Sequence, residues 1–160
     1  MTILDNLSEI KKIDSQNMLG SLQFLGKQAE QIYQEVKNMF IPESLRHINN
    51  IVVLGMGGSA IGVHVLKTLF SRQLKAPVEI INDYILPAFI NNKTLVIASS
   101  YSGDTEEVIE GVKRAKKMKA QIICITAGGK LADYAKKNKI PGLIFSTKNN
   151  PSNQPRMGLG

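Results

Sequence analysis

Between Ser99 and Glu107 the chain reads Ser-Ser-Tyr-Ser-Gly-Asp-Thr-Glu-Glu, with aliphatic hydroxyls at Ser99, Ser100, Ser102 and Thr105. An apolar, largely β-branched run precedes it (Thr94-Leu95-Val96-Ile97-Ala98). A helical pattern follows, with Val108, Ile109, Val112 and Ala115 on one face. Strand, hydroxyl-rich turn, helix: that order brings several hydroxyls and free backbone N–H groups to one helix N-terminus. Unpaired donors and the positive end of the helix dipole make such a place a site for a phosphate. A plainer role for Ser102 is to cap the helix. Capping uses one hydroxyl and this loop has four, which favours anion binding.

A second loop of similar character follows the run Ile51-Val52-Val53-Leu54. It reads Gly55-Met56-Gly57-Gly58-Ser59-Ala60-Ile61-Gly62. Gly55-x-Gly57-x-x-Ala60 fits the loose form of the dinucleotide fingerprint, with Glu79 or Asp83 at about the right distance for a ribose. The glycines alone also suit a tight strand-to-helix turn with no ligand. A hydroxyl-rich turn after the third strand is not part of the dinucleotide pattern. If the Ile51 and Thr94 strands are neighbours where strand order reverses, both loops face one pocket. Two small hydroxyl-bearing loops on one phosphate suit a monoester such as a sugar phosphate better than a dinucleotide.

The remaining elements must hold those loops. Residues 1–13 show no clear pattern. From Met18 the apolar residues fall at Met18, Leu22, Leu25, Ala29, Ile32, Val36 and Met39, alternating steps of four and three. This predicts one long amphipathic helix, capped by Asp14 or Ser15, stopped at Ile41-Pro42, and packed on the body or on a partner chain. After a linker, Ile51–Leu54 is a strand buried on both faces. The glycine loop then leads to a helix with Val65, Leu66 and Leu69 turned inward. Further strands are expected at Val78–Ile81, Thr94–Ala98, Ile122–Ile125 and Leu143–Phe145, with a short helix around Leu131–Lys137. Strands alternating with helices imply a parallel sheet with helices on both faces and right-handed crossovers. The segment 149–160 has loop chemistry.

The bulk numbers fit one domain. The chain has 160 residues, 43% of them apolar. No apolar run is long enough for a membrane span, and the N-terminus lacks a signal-peptide layout, so a cytoplasmic protein that binds no membrane is expected. A single cysteine, Cys124, lies in an apolar run and rules out a disulfide framework. The net charge of +7 suits an anionic partner. Its main clusters, Lys113–Lys119 and Lys136–Lys139, fall at helix C-termini and lack interleaved aromatics in the first case. They read as solvated faces, and no nucleic acid is expected. His47 and His64 stand apart from each other and from Cys124, so no metal site is expected.

Gly57-Gly58-Ser59 followed by Ser100-Tyr101-Ser102-Gly103-Asp104-Thr105-Glu106 resembles the sugar isomerase (SIS) domain. Gly55–Gly62 together with Asn153-Gln154-Pro155-Arg156 resembles the bifunctional phosphoglucose/phosphomannose isomerases within it. The resemblance covers residues 15 to 160. It implies a flavodoxin-like three-layer αβα sandwich with a five-stranded parallel sheet, here preceded by the long N-terminal helix. The segments would be 1–49 (helix and linker), 50–148 (SIS domain) and 149–160 (start of a linker to an absent second SIS domain). It implies a sugar phosphate held by Gly57, Gly58, Ser59, Ser100, Tyr101, Ser102, Gly103 and Thr105, with no cofactor. Arg156 matches an arginine held to stabilise an enediolate as glucose 6-phosphate or mannose 6-phosphate interconverts with fructose 6-phosphate. The glutamate base, and the histidine and lysine of ring opening, belong to the second half of such enzymes. Glu106 and Glu107 do not replace that base, because a bound phosphate would repel them. The 160-residue chain is therefore expected to be inactive alone and to form a homodimer. Two other functions are a non-catalytic sugar-phosphate-sensing domain and a dinucleotide-binding oxidoreductase domain. The absence of a tri-helical DNA-binding pattern in residues 1–49 weighs against the sensor.

Overall fold

The computed structural model describes residues 2–150, 152–155 and 157. Five strands form one parallel sheet: β1 (Asn50–Gly55), β2 (Val78–Ile81), β3 (Thr94–Ser100), β4 (Gln121–Thr126) and β5 (Gly142–Ile144). Their order across the sheet is β2-β1-β3-β4-β5. The chain thus steps outward from β1 to β2, then returns to the other side of β1 to build the rest.

The helices are α1 (Leu7–Ile13), α2 (Met18–Gln23), α3 (Leu25–Lys37), α4 (Ile61–Leu69), α5 (Glu106–Lys117) and α6 (Gly129–Lys137). On one sheet face, Val52, Leu54, Val96, Ala98, Ile122 and Cys124 pack against α5 and α6 through Val108, Val112, Ala115, Leu131 and Ala135. Fully burying each valine there is worth about 1.5–3 kcal/mol. Ile90, from the helix-free β2–β3 crossover, completes this core. On the other face, Leu45 packs with Leu95 and Ile123, and Ile32 of α3 with Leu143, Phe145 and Met157. Burial pushes the Cys124 thiol up to about 12.

The expected long helix is present as α2 and α3, joined through Phe24, whose backbone stays right-handed. Asp14 serves its N-terminus, its carboxylate accepting from the amides of Met18 and Leu19. The docked face includes Ser21, Gln28 and Ile32, all buried. It shares Ile32 with the apolar seam but leaves the seam's Leu22, Leu25 and Val36 exposed. Residues 7–13 form a helix that apolar spacing did not announce. Asn6 caps it by accepting from the amides of Ser8 and Glu9, and none of its residues is buried. Its apolar residues, Leu7, Ile10 and Ile13, recur at three-residue steps over too short a run to stand out.

Helix α4 departs from expectation. Val65, Leu66 and Leu69 are not inward: they are 42%, 41% and 67% exposed, and α4 buries no residue at all. The apolar stripe is real, but nothing in the described chain covers it.

Candidate functional site

The pairing on which the two-loop reading depends is present. β1 and β3 are neighbours, and Gly55 stands opposite Ser99. Both loops therefore leave adjacent strands at the carboxyl edge of the sheet, where strand order reverses. Two hydrogen bonds join them. Ser99 Oγ donates to the Ser59 carbonyl at 2.9 Å, and the Tyr101 amide donates to Ser59 Oγ at 3.1 Å. The Ser59 hydroxyl keeps its own proton to donate elsewhere.

Inside the hydroxyl loop the serines divide their work. Ser100 is 1% exposed. Its Oγ accepts from the Gly103 amide at 3.0 Å and shares a 2.8 Å hydrogen bond with Thr105 Oγ1. This pair shapes the turn. Ser102 is exposed at the tip, its Oγ accepting from the Asp104 amide at 3.2 Å. The start of α6 braces the loop from below: the Leu131 amide donates to the Gly103 carbonyl at 2.9 Å, and the Lys130 amide to Asp104 Oδ1 at 3.2 Å. Gly103 has φ +75°, and a Cβ there would stand 1.8 Å from the Gly128 carbonyl oxygen. No other residue type fits that contact.

The N-cap residue of α5 is Thr105, not Ser102, and its side chain makes no capping bond. Its hydroxyl is spent on Ser100. The first-turn amides of Glu106 and Glu107 therefore have no capping acceptor at the positive end of a twelve-residue helix. An anion placed there would meet those amides, Ser102 at the tip and Ser59 across the gap. The partly exposed Tyr84, on the β2–β3 crossover, lies beside Glu106. Its phenol is raised above the ordinary value by burial first, then by the charges of Glu106 and Glu107.

Tyr101 contributes its amide rather than its ring to this place. The ring lies 5.8 Å from that of Phe145, tilted by 49°. Its hydroxyl accepts from Asn150 Nδ2 at 2.7 Å. Burial raises the phenol, and the Asn150 bond opposes that shift. Gly58 touches the 149–157 segment directly, since a Cβ on it would stand 2.2 Å from Pro155 Cγ. Arg156 lies outside the described residues. His47 and His64 are both exposed and far apart in sequence. Among the described residues no group of three His, Cys, Asp or Glu side chains could hold a metal.

Sequence reasoning missed the polar network that fastens this segment to the N-terminal helices. Gln28 Nε2 donates to the Asn149 carbonyl at 2.8 Å and Gln31 Nε2 to the Ser146 carbonyl at 2.8 Å. Asn149 Nδ2 donates to Gln31 Oε1 at 2.9 Å, and Ser152 Oγ donates to Ser21 Oγ at 2.8 Å. The faint sign was Gln28 and Gln31 beside Ile32, a polar pair on a face that solvent alone would not require.

The sugar isomerase (SIS) domain family model matches residues 44–149. The chain is 42% identical over 144 residues to a bifunctional phosphoglucose/phosphomannose isomerase of Caldicellulosiruptor bescii, covering 89% of this chain and 41% of that one. The chain thus spans about two fifths of the length of that curated relative. Among solved structures, a putative phosphosugar isomerase of Clostridium difficile superposes with a TM-score of 0.63 at 14% identity, over 87% of this chain and 43% of that one. The Vibrio vulnificus NanR protein complexed with ManNAc-6P superposes with a TM-score of 0.61 at 17% identity, over 94% and 60%. These two likenesses speak to fold. With the family match spanning both loops and the whole sheet, the chain belongs to the SIS domain family.

Proposed function

We propose that this chain is the sugar-phosphate-binding half of an aldose–ketose isomerase acting on glucose 6-phosphate or mannose 6-phosphate and fructose 6-phosphate. The observation that carries this is the hydroxyl loop joined to the glycine loop at the uncapped N-terminus of α5. In this reading the phosphate accepts from the amides at the start of α5 and from the hydroxyls of Ser59 and Ser102. Ser100 and Thr105 hold the turn in shape, and Gly57 and Gly58 keep the opposite wall low. Identity to the isomerase of Caldicellulosiruptor bescii supports the reaction class.

Interconversion of the two sugars requires a base to move a proton between neighbouring carbons. Glu106 and Glu107 stand where a bound phosphate would repel them, so the base is assigned to a second SIS domain. Arg156 is given the task of stabilising the enediolate: a guanidinium stays charged and offers two N–H groups to adjacent oxygens. Its neighbour Pro155 packs against Gly58, which supports placing it at this site. The exposed apolar face of α4 is assigned to that second SIS domain or to a homodimer contact.

A thermal-shift titration with fructose 6-phosphate, with NAD as control, tests the reading. Ligand at a hundred times its dissociation constant adds about 2.7 kcal/mol of stability. A shift with the sugar phosphate alone, lost in Ser102→Ala, is the expected result. A shift with NAD and none with the sugar would overturn it. Full isomerisation by residues 1–160 alone would overturn the half-site.

A further inference from the structure

The end of α5 remote from the hydroxyl loop carries charge that the reading above does not use. Nine of the chain's twenty cations, and one of its thirteen acids, lie between residues 113 and 139. That segment carries a net charge of +8, against +7 for the whole chain. Helices α5 and α6 both end on Ala-Lys-Lys-x-Lys, at residues 115–119 and 135–139. Both close with the same pair of bonds: Lys119 N to Lys116 O and Ala120 N to Ala115 O, then Lys139 N to Lys136 O and Ile140 N to Ala135 O. This turn needs a left-handed residue after the cap, a position glycine normally fills. Here it is lysine both times, with φ +62° at Lys119 and +54° at Lys139. The chain accepts strain twice and keeps a positive charge twice.

Those charges border concave space. The larger of two cavities there measures 760 Å³ and is lined by Glu110, Lys113, Arg114, Lys116, Lys117 and Tyr134. Lys116 also lines an adjoining cavity of 230 Å³, together with Lys139. Lys113 is paired with Glu110 at 2.6 Å, and Lys116 Nζ donates to Asn138 Oδ1. Among the described residues, Arg114 and Lys117 are not ion-paired. Like charges at three- and four-residue spacing repel one another on a helix. A bound polyanion would relieve that repulsion.

We propose that the cleft between the C-terminal ends of α5 and α6 binds a chain of linked phosphates, as in an inorganic oligophosphate or the triphosphate of a nucleotide. Several cations around one concavity suit a compact ligand of high charge, and a monophosphate would engage only part of them. A nucleic acid would need a longer stripe and stacking aromatics, and Tyr134 is the one aromatic residue among those lining the larger cavity. Arg114 and Lys117 stand about 12 Å and about 17 Å along α5 from its first residue, at 1.5 Å per residue. The two sites are therefore separable by mutation.

The test is calorimetric titration of the chain at about 0.15 M salt, where bare surface charge is largely screened. Tripolyphosphate, ATP, inorganic phosphate and single-stranded homopolymer RNA are titrated in turn. Tripolyphosphate should bind at least tenfold tighter than inorganic phosphate. The Arg114→Gln/Lys117→Gln variant, both changes being at exposed positions, should weaken it at least tenfold with an unchanged thermal midpoint. Ser102→Ala should leave it as it was, which keeps this site distinct from the sugar-phosphate reading. ATP binding tighter than tripolyphosphate would assign the nucleotide as the source; equal affinities would assign the phosphate chain alone. Loss of binding in Ser102→Ala, equal loss in Lys37→Gln/Lys67→Gln, tighter binding of RNA, or no binding of tripolyphosphate would each overturn the proposal.

Discussion

Helices α4 and α5 leave neighbouring strands through loops of similar character, and both read as amphipathic, yet only α5 is packed. Val108, Val112 and Ala115 of α5 are sealed against the sheet. Gly111 lets the helix settle onto β1, for a Cβ there would stand 2.6 Å from Leu54 Cδ1. Helix α4 buries nothing and shows Ile61, Val65, Leu66 and Leu69 to solvent. An apolar stripe states that a helix has something to cover, and leaves open whether this chain or another covers it. The packed helix presents the candidate phosphate site at its N-terminus. The unpacked one presents a face for assembly.

The largest effect is expected at the loop that α5 grows from. Gly103→Ala would drive a methyl into the Gly128 carbonyl at a left-handed backbone position, costing about 3 kcal/mol or more. Urea unfolding should show it, and any fructose 6-phosphate shift should vanish with it. On α5 itself, Val112→Ala should cost about 2 kcal/mol through the cavity it leaves. The matching change on α4, Leu66→Ala, should stay within about 0.5 kcal/mol in dilute solution. Equal costs for the two would break the comparison by showing that α4 is covered after all. Leu69→Lys should barely move the stability of the isolated chain but should abolish self-association in sedimentation, if that face joins two copies. The smallest effect concerns Cys124. With its thiol held up at about 12, it should resist alkylation at pH 8 in the native chain and react once the chain is unfolded.

Much of the fold was legible because the strands are buried on both faces and so appear as unbroken apolar runs at Ile51, Thr94 and Ile122. Both loops were legible for a related reason: glycines and hydroxyls between a strand and a helix have few other uses. What escaped depended on contacts distant in sequence. Helix α1 buries no residue, and its apolar repeat of Leu7, Ile10 and Ile13 is too short to stand out. The docked face of α3 runs through Gln28, whose partner Asn149 is 121 residues away. Tyr101 sat within the candidate motif, but its ring belongs to Phe145 and Asn150, a choice that local spacing does not encode. Ser100 and Thr105 were grouped with the binding hydroxyls, and the structure adds a tie between them that shapes the turn.

The central claim is that a sugar phosphate sits at the N-terminus of α5. The most direct measurement is an amide-resolved NMR titration of the labelled chain with fructose 6-phosphate. The account predicts saturable shifts concentrated at Gly57–Ser59 and Ser102–Glu107, strongest at the Glu106 and Glu107 amides and suppressed by Ser102→Ala. Shifts confined to the basic ends of α5 and α6, or none at the two loops at saturating sugar phosphate, would contradict it.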